Sequence, residues 1–360
     1  MANKITGTTD TSGALTTMPT AVKSALIVAP VSGTQGSGVT VGEKEIFSIS
    51  GTADATDIFG STSIAPQMVK VLISNGVDNI KGIIVPTPVD EEDVLGDTLM
   101  ASMEDKTVKM VLCADNRATT IAKVKDHLIL CEQNDMFRYS VFAPSSEDAV
   151  SQTKLATFAR SVNSDRIFVA GAELMNGDNA VDPQITASGL AGAIMTETDD
   201  PALPMNGVPL AGFTGVKRKM LDAEMKALAN AGVTAITLDG TTPTVYRLVT
   251  SKVDEHGVSD AIWQEGTTRF IADYVLESNM TLLRANYKRT KNVQRVLDGI
   301  KGDIKINMEK MEGMEIIENW NEETLTVTKD PKDLYGALVD YEFDVVTPLY
   351  TITITQHMKL

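Results

Sequence analysis

Any metal or nucleophile chemistry in this sequence would rest on very few residues: His127, His256 and His357, with Cys113 and Cys131. His127 and Cys131 stand four apart in a stretch that reads as a helix, so they share a face, and Cys113 ends the apolar run before it. Imidazole and thiolate are zinc ligands, yet a structural site takes four and the fourth is missing. The expectation is therefore two thiols behaving as small apolar groups beside an exposed or capped imidazole, with no metal and no cofactor. Asp126 offers His127 no relay, because adjacent side chains on a helix diverge by about 100°. No Gly-x-Ser-x-Gly elbow is present, so no serine is set up as a nucleophile. The loop GTQGSGVTVGEK, residues 33 to 44, follows an apolar run, but its glycines match neither the dinucleotide fingerprint nor the P-loop spacing. The acidic run at 90 to 105 lacks the alternation of a calcium loop and reads as a solvated helix face or loop. Met308, Met311 and Met314 recur at helical spacing and read as core filling.

Two patterns call for another kind of function. Arg284, Lys288, Arg289, Lys291, Arg295 and Lys301 gather on what reads as two successive helices, answered there only by Asp298, in a chain whose formal charge is −16. Such segregation favours an acidic partner, while the overall charge argues against wholesale binding of nucleic acid. The second pattern is the run Leu349, Tyr350, Thr351, Ile352, Thr353, Ile354, Thr355 and Gln356, which alternates and is rich in β-branched residues. A strand of this kind with unpaired backbone groups is a template for another chain.

These patterns sit in a chain of 360 residues, 43% hydrophobic and 22% charged, enough for two or three domains of ordinary composition. Two cysteines are too few for a disulfide scaffold, and the polar start carries no apolar secretory core, so a cytoplasmic protein with no membrane insertion is expected. Residues 1 to 20 read as an arm. Strands are expected at 21 to 30, 79 to 86, 107 to 114, 137 to 144, 165 to 172 and 232 to 239. Helices are expected from Ser63 to Asn75 and over 117 to 133, 146 to 162, 184 to 197 and 218 to 232. That alternation is the mark of an α/β layer fold. After about residue 260 two helices and then three strands follow, at 322 to 330, 336 to 346 and 349 to 356.

In the C-terminal third, RFIADYVLESNMTLLRANYKRTKNVQRVLDGIKGDI, IIENWNEETLTVTKDPKD and LVDYEFDVVTPLYTITIT occur in the order seen in contractile tail sheath proteins of phages and R-type bacteriocins. The early stretch FGSTSIAPQMVKVLISNGVDNIKGIIVP is similar to an N-terminal element of the same family, and the chain resembles that family over nearly its whole length. The resemblance implies an α/β fold: an outer subtilisin-like domain at 21 to 260, without protease residues, and an inner α+β domain at 261 to 346. Extended arms at 1 to 20 and 347 to 360 would flank them.

It further implies a mechanical subunit, not an enzyme. Copies would form a helical sheath of stacked hexameric rings around a tail tube protein, with baseplate and tail terminator proteins at the ends. The particle would be assembled in a bacterial host cytoplasm and become a virion tail or a released bacteriocin-like particle. Neighbours would be linked by strands lent from residues 5 to 20 and from Leu349 through Gln356. The receiving hairpin would hold Thr324, Leu325, Val327, Leu338, Val339, Tyr341 and Phe343. Arg284, Lys288, Arg289, Lys291 and Arg295 would face the tube. The rival readings are an α/β hydrolase-like enzyme, suggested by the doubly wound pattern, and another shell-forming protein.

Overall fold

The computed structural model describes residues 23–37, 44–86, 93–254, 260, 262–350 and 354–356. The expected arm at 1 to 20, His256, His357 and the middle of the terminal run lie outside the described residues.

The strands in chain order are β1 (Ser24–Pro30), β2 (Ile46–Ile49), β3 (Ile80–Val85), β4 (Val108–Cys113), β5 (Tyr139–Phe142), β6 (Ile167–Gly171), β7 (Leu174–Asn176), β8 (Asn179–Ala180), β9 (Gly215–Val216), β10 (Thr234–Asp239) and β11 (Thr242–Val245), then β12 (Ile317–Glu318), β13 (Thr326–Lys329), β14 (Ala337–Asp340) and β15 (Asp344–Val345). Eight of them form one sheet in the order β11-β10-β6-β5-β4-β1-β3-β2. The six interior strands run parallel, and β2 and β11 close the two edges antiparallel. The six strands expected from the sequence are the six parallel ones. They are legible because a strand covered on both faces is a mostly apolar run, interrupted here by single polar residues such as Lys81 and Lys109.

Helices cover both faces: α1 (Thr52–Phe59), α2 (Ala65–Ser74), α3 (Val94–Ala101), α4 (Ala118–Gln133), α5 (Ser146–Ala149), α6 (Gln152–Val162), α7 (Pro183–Glu197) and α8 (Asp222–Asn230). Alternate residues of β1 serve opposite cores: Ala25, Ile27 and Ala29 face the core with α1, α2 and α7, and Leu26 and Val28 the core with α3, α4, α6 and α8. In β4 the register slips by one at Lys109, since Ser24 pairs with Val108 but Ala25 with Met110. The bulge moves Val108 to the face opposite Met110. The helix expected over 146 to 162 is two, α5 and α6, because Ser151 starts a new one with its Oγ accepting the Lys154 amide at 3.4 Å. The helix expected from 218 begins at Asp222, where Glu224 accepts the Leu221 amide at 2.9 Å. It ends at Asn230, and Gly232 two residues on turns the chain away with a φ of +81° that suits only glycine well.

Beyond the sheet lie α9 (Gly266–Asn286) and α10 (Gln294–Gly313), which pack against β12 to β15 around a third core. Ile271, Val275, Ile304, Met308 and Met311 are buried there, and Met314 packs against them, so the methionines fill core as expected. One helix spans both regions: Phe270 of α9 meets Tyr139 and Phe168 of the large sheet with ring centroids 5.1 and 5.7 Å away, while its neighbour Ile271 lies in the third core. No described helix is long and apolar enough to cross a membrane.

Candidate functional site

His127 and Cys131 do meet, with Sγ 3.3 Å from Nε2, but a metal is not what holds them. Arg138, fully buried, donates to the same Nε2 at 3.2 Å and to Ser102 Oγ, Ser102 O and Asp105 O at 2.9, 2.9 and 2.8 Å. The guanidinium occupies the lone pair a zinc ion would need and places a positive charge beside it. Burial, aided by that charge, lowers the His127 pKa to about 3. The imidazole is thus buried, not exposed. Burial and then the charge of Asp115 push the Cys113 thiol up to about 12, far from a reactive thiolate. Among the described residues no three metal-ligating side chains gather. The described part of the glycine-rich loop is tied to the end of α1, Gly36 N donating to Asp57 O at 2.9 Å and Gln35 to Ile58 O at 2.6 Å, and so frames no helix N-terminus.

The C-terminal layer is built differently. β13 pairs antiparallel with β14, Thr326 opposite Asp340 and Lys329 opposite Ala337, and among the described residues no third strand joins them. The strand expected at 322 to 330 begins only at Thr326, since Glu322–Thr324 forms a short 3-10 turn with the Glu323 amide held by Asn321. The strand expected over 336 to 346 divides between partners: β14 serves β13, whereas β15 serves β12. Its alternation nonetheless continues, because Val339, Tyr341, Phe343 and Val345 all pack on the third core. The crossover is fixed by Glu342 N donating to Thr324 Oγ1 at 3.2 Å and by Tyr341 accepting from Asn279 at 3.1 Å. Of the expected hairpin residues, Leu325 is buried, Val327 and Val339 face inward, and Leu338 is 51% exposed on the outer face. The connection between the strands is a made turn, with Asp330 Oδ1 accepting from Lys332 N and Asp333 Oδ1 from Tyr335 N at 2.7 and 3.0 Å.

The terminal run does not form a strand within its own chain among the described residues. Leu349 and Ile354 are 70% and 86% exposed. Tyr350 alone of its described neighbours finds partners, its hydroxyl donating to Glu265 Oε1 at 2.7 Å beneath the Arg247 guanidinium.

The basic cluster is exposed but not helical throughout. Lys288, Arg289 and Lys291 lie in the connection between α9 and α10, whereas Arg284 sits on α9 and Arg295 and Lys301 on α10. The chain turns there because Asn286 and Tyr287 both donate back to Asp303 of α10 at 2.9 Å. Arg284 reaches Asp135 at 2.7 Å, whereas Lys288, Arg289, Lys291 and Arg295 show no ion pair among the described residues.

One feature escaped the sequence altogether. Arg166 at the start of β6 grips Asp273 of α9 through both oxygens at 2.7 and 3.0 Å, and Glu132 of α4 at 2.8 and 3.2 Å. Arg269 joins Asp273, Glu132 and Asp165, and Tyr139 also donates to Asp273. Burial alone would lower the Arg166 pKa, but hydrogen bonding to Glu132 and the charge of Asp273 outweigh it and raise it. With Lys109 bonded to Glu277 at 2.7 Å, one stripe of α9 is fastened to the ends of the large sheet's strands.

No protein-family model matches the sequence, and no curated protein matches it. Solved structures do. The helical sheath of the anti-feeding prophage in its contracted state is 16% identical, with a TM-score of 0.72 over 100% of this chain and 99% of that one. The contracted PVC sheath complex of an extracellular contractile injection system is 14% identical, with a TM-score of 0.68 over 100% and 98%. A sheath tail protein from Desulfitobacterium hafniense is 9% identical, with a TM-score of 0.67 over 91% and 95%. The chain therefore has, along its full length, the mixed α/β fold of contractile sheath proteins, as the resemblance in its C-terminal third implied.

Proposed function

We propose that the chain is the structural subunit of a contractile sheath and performs no catalysis. Copies stack as hexameric rings around a tail tube protein, meet baseplate and terminator proteins at the ends, and shorten together to drive the tube through a cell envelope. Assembly takes place in a bacterial cytoplasm. The large-sheet region at 21 to 260 forms the outer domain and 261 to 346 the inner one.

The observation that carries this reading is the open two-stranded β13–β14 sheet in a fold shared with sheath proteins end to end. Strands lent by neighbouring copies, from residues 5 to 20 and from the run ending at Gln356, complete it. A six-residue strand adds about five or six backbone hydrogen bonds, each contributing roughly 0.5–1.5 kcal/mol net. Such a link persists while the globular bodies exchange one set of contacts for a better one, so a few kcal/mol per copy, summed along the tail, moves the tube. Lys288, Arg289, Lys291 and Arg295 meet an acidic tube surface, a contact that salt weakens and contraction can release.

Electron microscopy of the expressed protein tests the reading. Removal of residues 349 to 356 is expected to leave folded single copies where the full chain gives rings or hollow polymers. Unaltered polymers would contradict it. Charge reversal at Lys288 and Arg295 is expected to abolish tube-templated assembly at low salt, and assembly that proceeds unchanged would remove the tube-facing role.

A further inference from the structure

Glu265 is 8% exposed and both its carboxylate oxygens are engaged: Oε2 accepts Arg247 Nε and Nη2 at 3.0 and 2.7 Å, and Oε1 accepts the Tyr350 hydroxyl at 2.7 Å. The Arg247 guanidinium carbon lies 4.7 Å from the centre of the Tyr350 ring, so the phenol is gripped at its face and at its tip. The site is itself well anchored. Glu265 stands at the position just before α9 and bridges Val249 through its backbone. On either side of the gripped ring the described side chains are bare, Leu349 at 70% and Ile354 at 86% exposure. A residue cannot lie in this grip and at the same time sit in register on another copy's sheet. Tyr350 is thus a fixed point in a stretch whose described neighbours Leu349 and Ile354 are exposed.

We propose that Arg247 and Glu265 form a socket that keeps Tyr350 in its own subunit, so that only the chain beyond Tyr350 is lent to a second copy. The proposal rests on the strand-lending reading and shortens the lent segment expected from the sequence by its first two residues. The socket sets where the ribbon leaves and therefore which residues reach the neighbour. By strand alternation Tyr350 and Ile354 lie on one face, so a ribbon held by the tyrosine presents Ile354 at a fixed phase. Arg247 and Glu265 act as positioning residues. A ribbon released from them gains length and loses register.

The test uses the full chain in its assembled form, with single cysteines at position 349 or 354 each combined with Thr328→Cys or Leu338→Cys. Those last two face one another across the hairpin, so either edge is covered. The native thiols are buried and do not compete. Mild oxidation is expected to link position 354 between copies at least fivefold more than position 349. Tyr350→Ala is expected to bring the yield at 349 towards that at 354, with Tyr350→Phe, which keeps the ring and loses one hydrogen bond, between the two. Equal yields at 349 and 354 with the tyrosine in place would overturn the socket and leave strand lending standing. Linkage at neither position would end the strand-lending reading. The socket is then decided by NMR relaxation on the single copy: Tyr350→Ala should raise the fast backbone mobility of residues 349 and 350 to that of a free chain end, and unchanged mobility would overturn it.

Discussion

The large sheet and the C-terminal layer are both made of short β-branched strands, yet one is finished and the other is not. In the large sheet every parallel strand is paired on both sides. Its β11 edge is capped by the loop at 207 to 210, with Gly207 N donating to Val245 O, Val245 N to Val208 O and Leu210 N to Pro243 O at 2.8, 2.9 and 2.8 Å. Pro243 itself has no N–H to offer. The β2 edge is only four residues long. β13 and β14 are as short as β2, four residues each, but they carry no proline within the strands and no covering strand among the described residues, and Leu338 is 51% exposed on their outer face. The large sheet thus covers its β11 edge with its own chain, whereas the β13–β14 pair has no third strand among the described residues. On the proposed function, that difference keeps subunits joined through the two-stranded pair while their bodies slide.

Four outcomes would break or sharpen this contrast. The largest concerns the junction. Asp273→Ala would strand Arg166 and Arg269 without their shared buried carboxylate, and the loss expected in chemical denaturation of single copies is about 3–5 kcal/mol. A loss below about 1 kcal/mol would mean that the ion cluster does not fasten the two regions. Next, Ile27→Ala in the finished sheet should cost about 2–5 kcal/mol. Leu338→Ala on the open face should stay within about 0.5 kcal/mol in single copies while weakening polymers. Equal costs would erase the distinction between the sheets.

A smaller effect is set by acid. The folded His127 pKa of about 3 lies below the ordinary 6.5, so the unfolded chain takes up the proton first. The stabilisation is therefore complete above pH 6.5 and declines as pH falls from 6.5 towards 3. Between pH 7 and pH 5 the loss from this one group is about 2 kcal/mol. His127→Gln, which keeps an acceptor for Arg138, should remove that part of the pH dependence. An identical pH profile in the variant would place the acid sensitivity elsewhere. The smallest effect is at the basic connection. Lys288→Ala with Lys291→Ala should leave the stability of single copies within about 0.5 kcal/mol and reduce the salt dependence of tube-templated assembly. An unchanged salt dependence would move that contact away from the α9–α10 connection.

Legibility in the sequence followed locality. The runs that became β1, β3, β4, β5, β6 and β10 announced themselves because burial on two faces leaves them mostly apolar, with single polar residues such as Lys81 in β3, Lys109 in β4 and Ser140 in β5. The edge β2, the small β7–β8–β9 sheet and β11 did not, since two to four residues carry too little pattern. The Asp239-Gly240 turn before β11, with Gly240 at φ +61°, is the one local hairpin signal for that edge. In the C-terminal layer the alternation through Val339, Tyr341, Phe343 and Val345 was legible, but not the change of pairing partner midway along it. The basic cluster could be seen and not placed, because the turn that carries it depends on Asp303 reaching back from α10. The Arg166 cluster joins residues 132, 165, 166, 269 and 273, and no local pattern links positions that far apart.

In the proposed sheath one copy's sheet is finished by another copy's chain, and a density map of the assembled polymer, fine enough to trace backbone, tests this directly. It should show the β13–β14 pair flanked by a strand that is followed, through Tyr350 in its own Arg247–Glu265 socket, back to a neighbouring copy. A map in which the tail folds onto its own hairpin, or in which that hairpin stays two-stranded inside the polymer, would contradict the account.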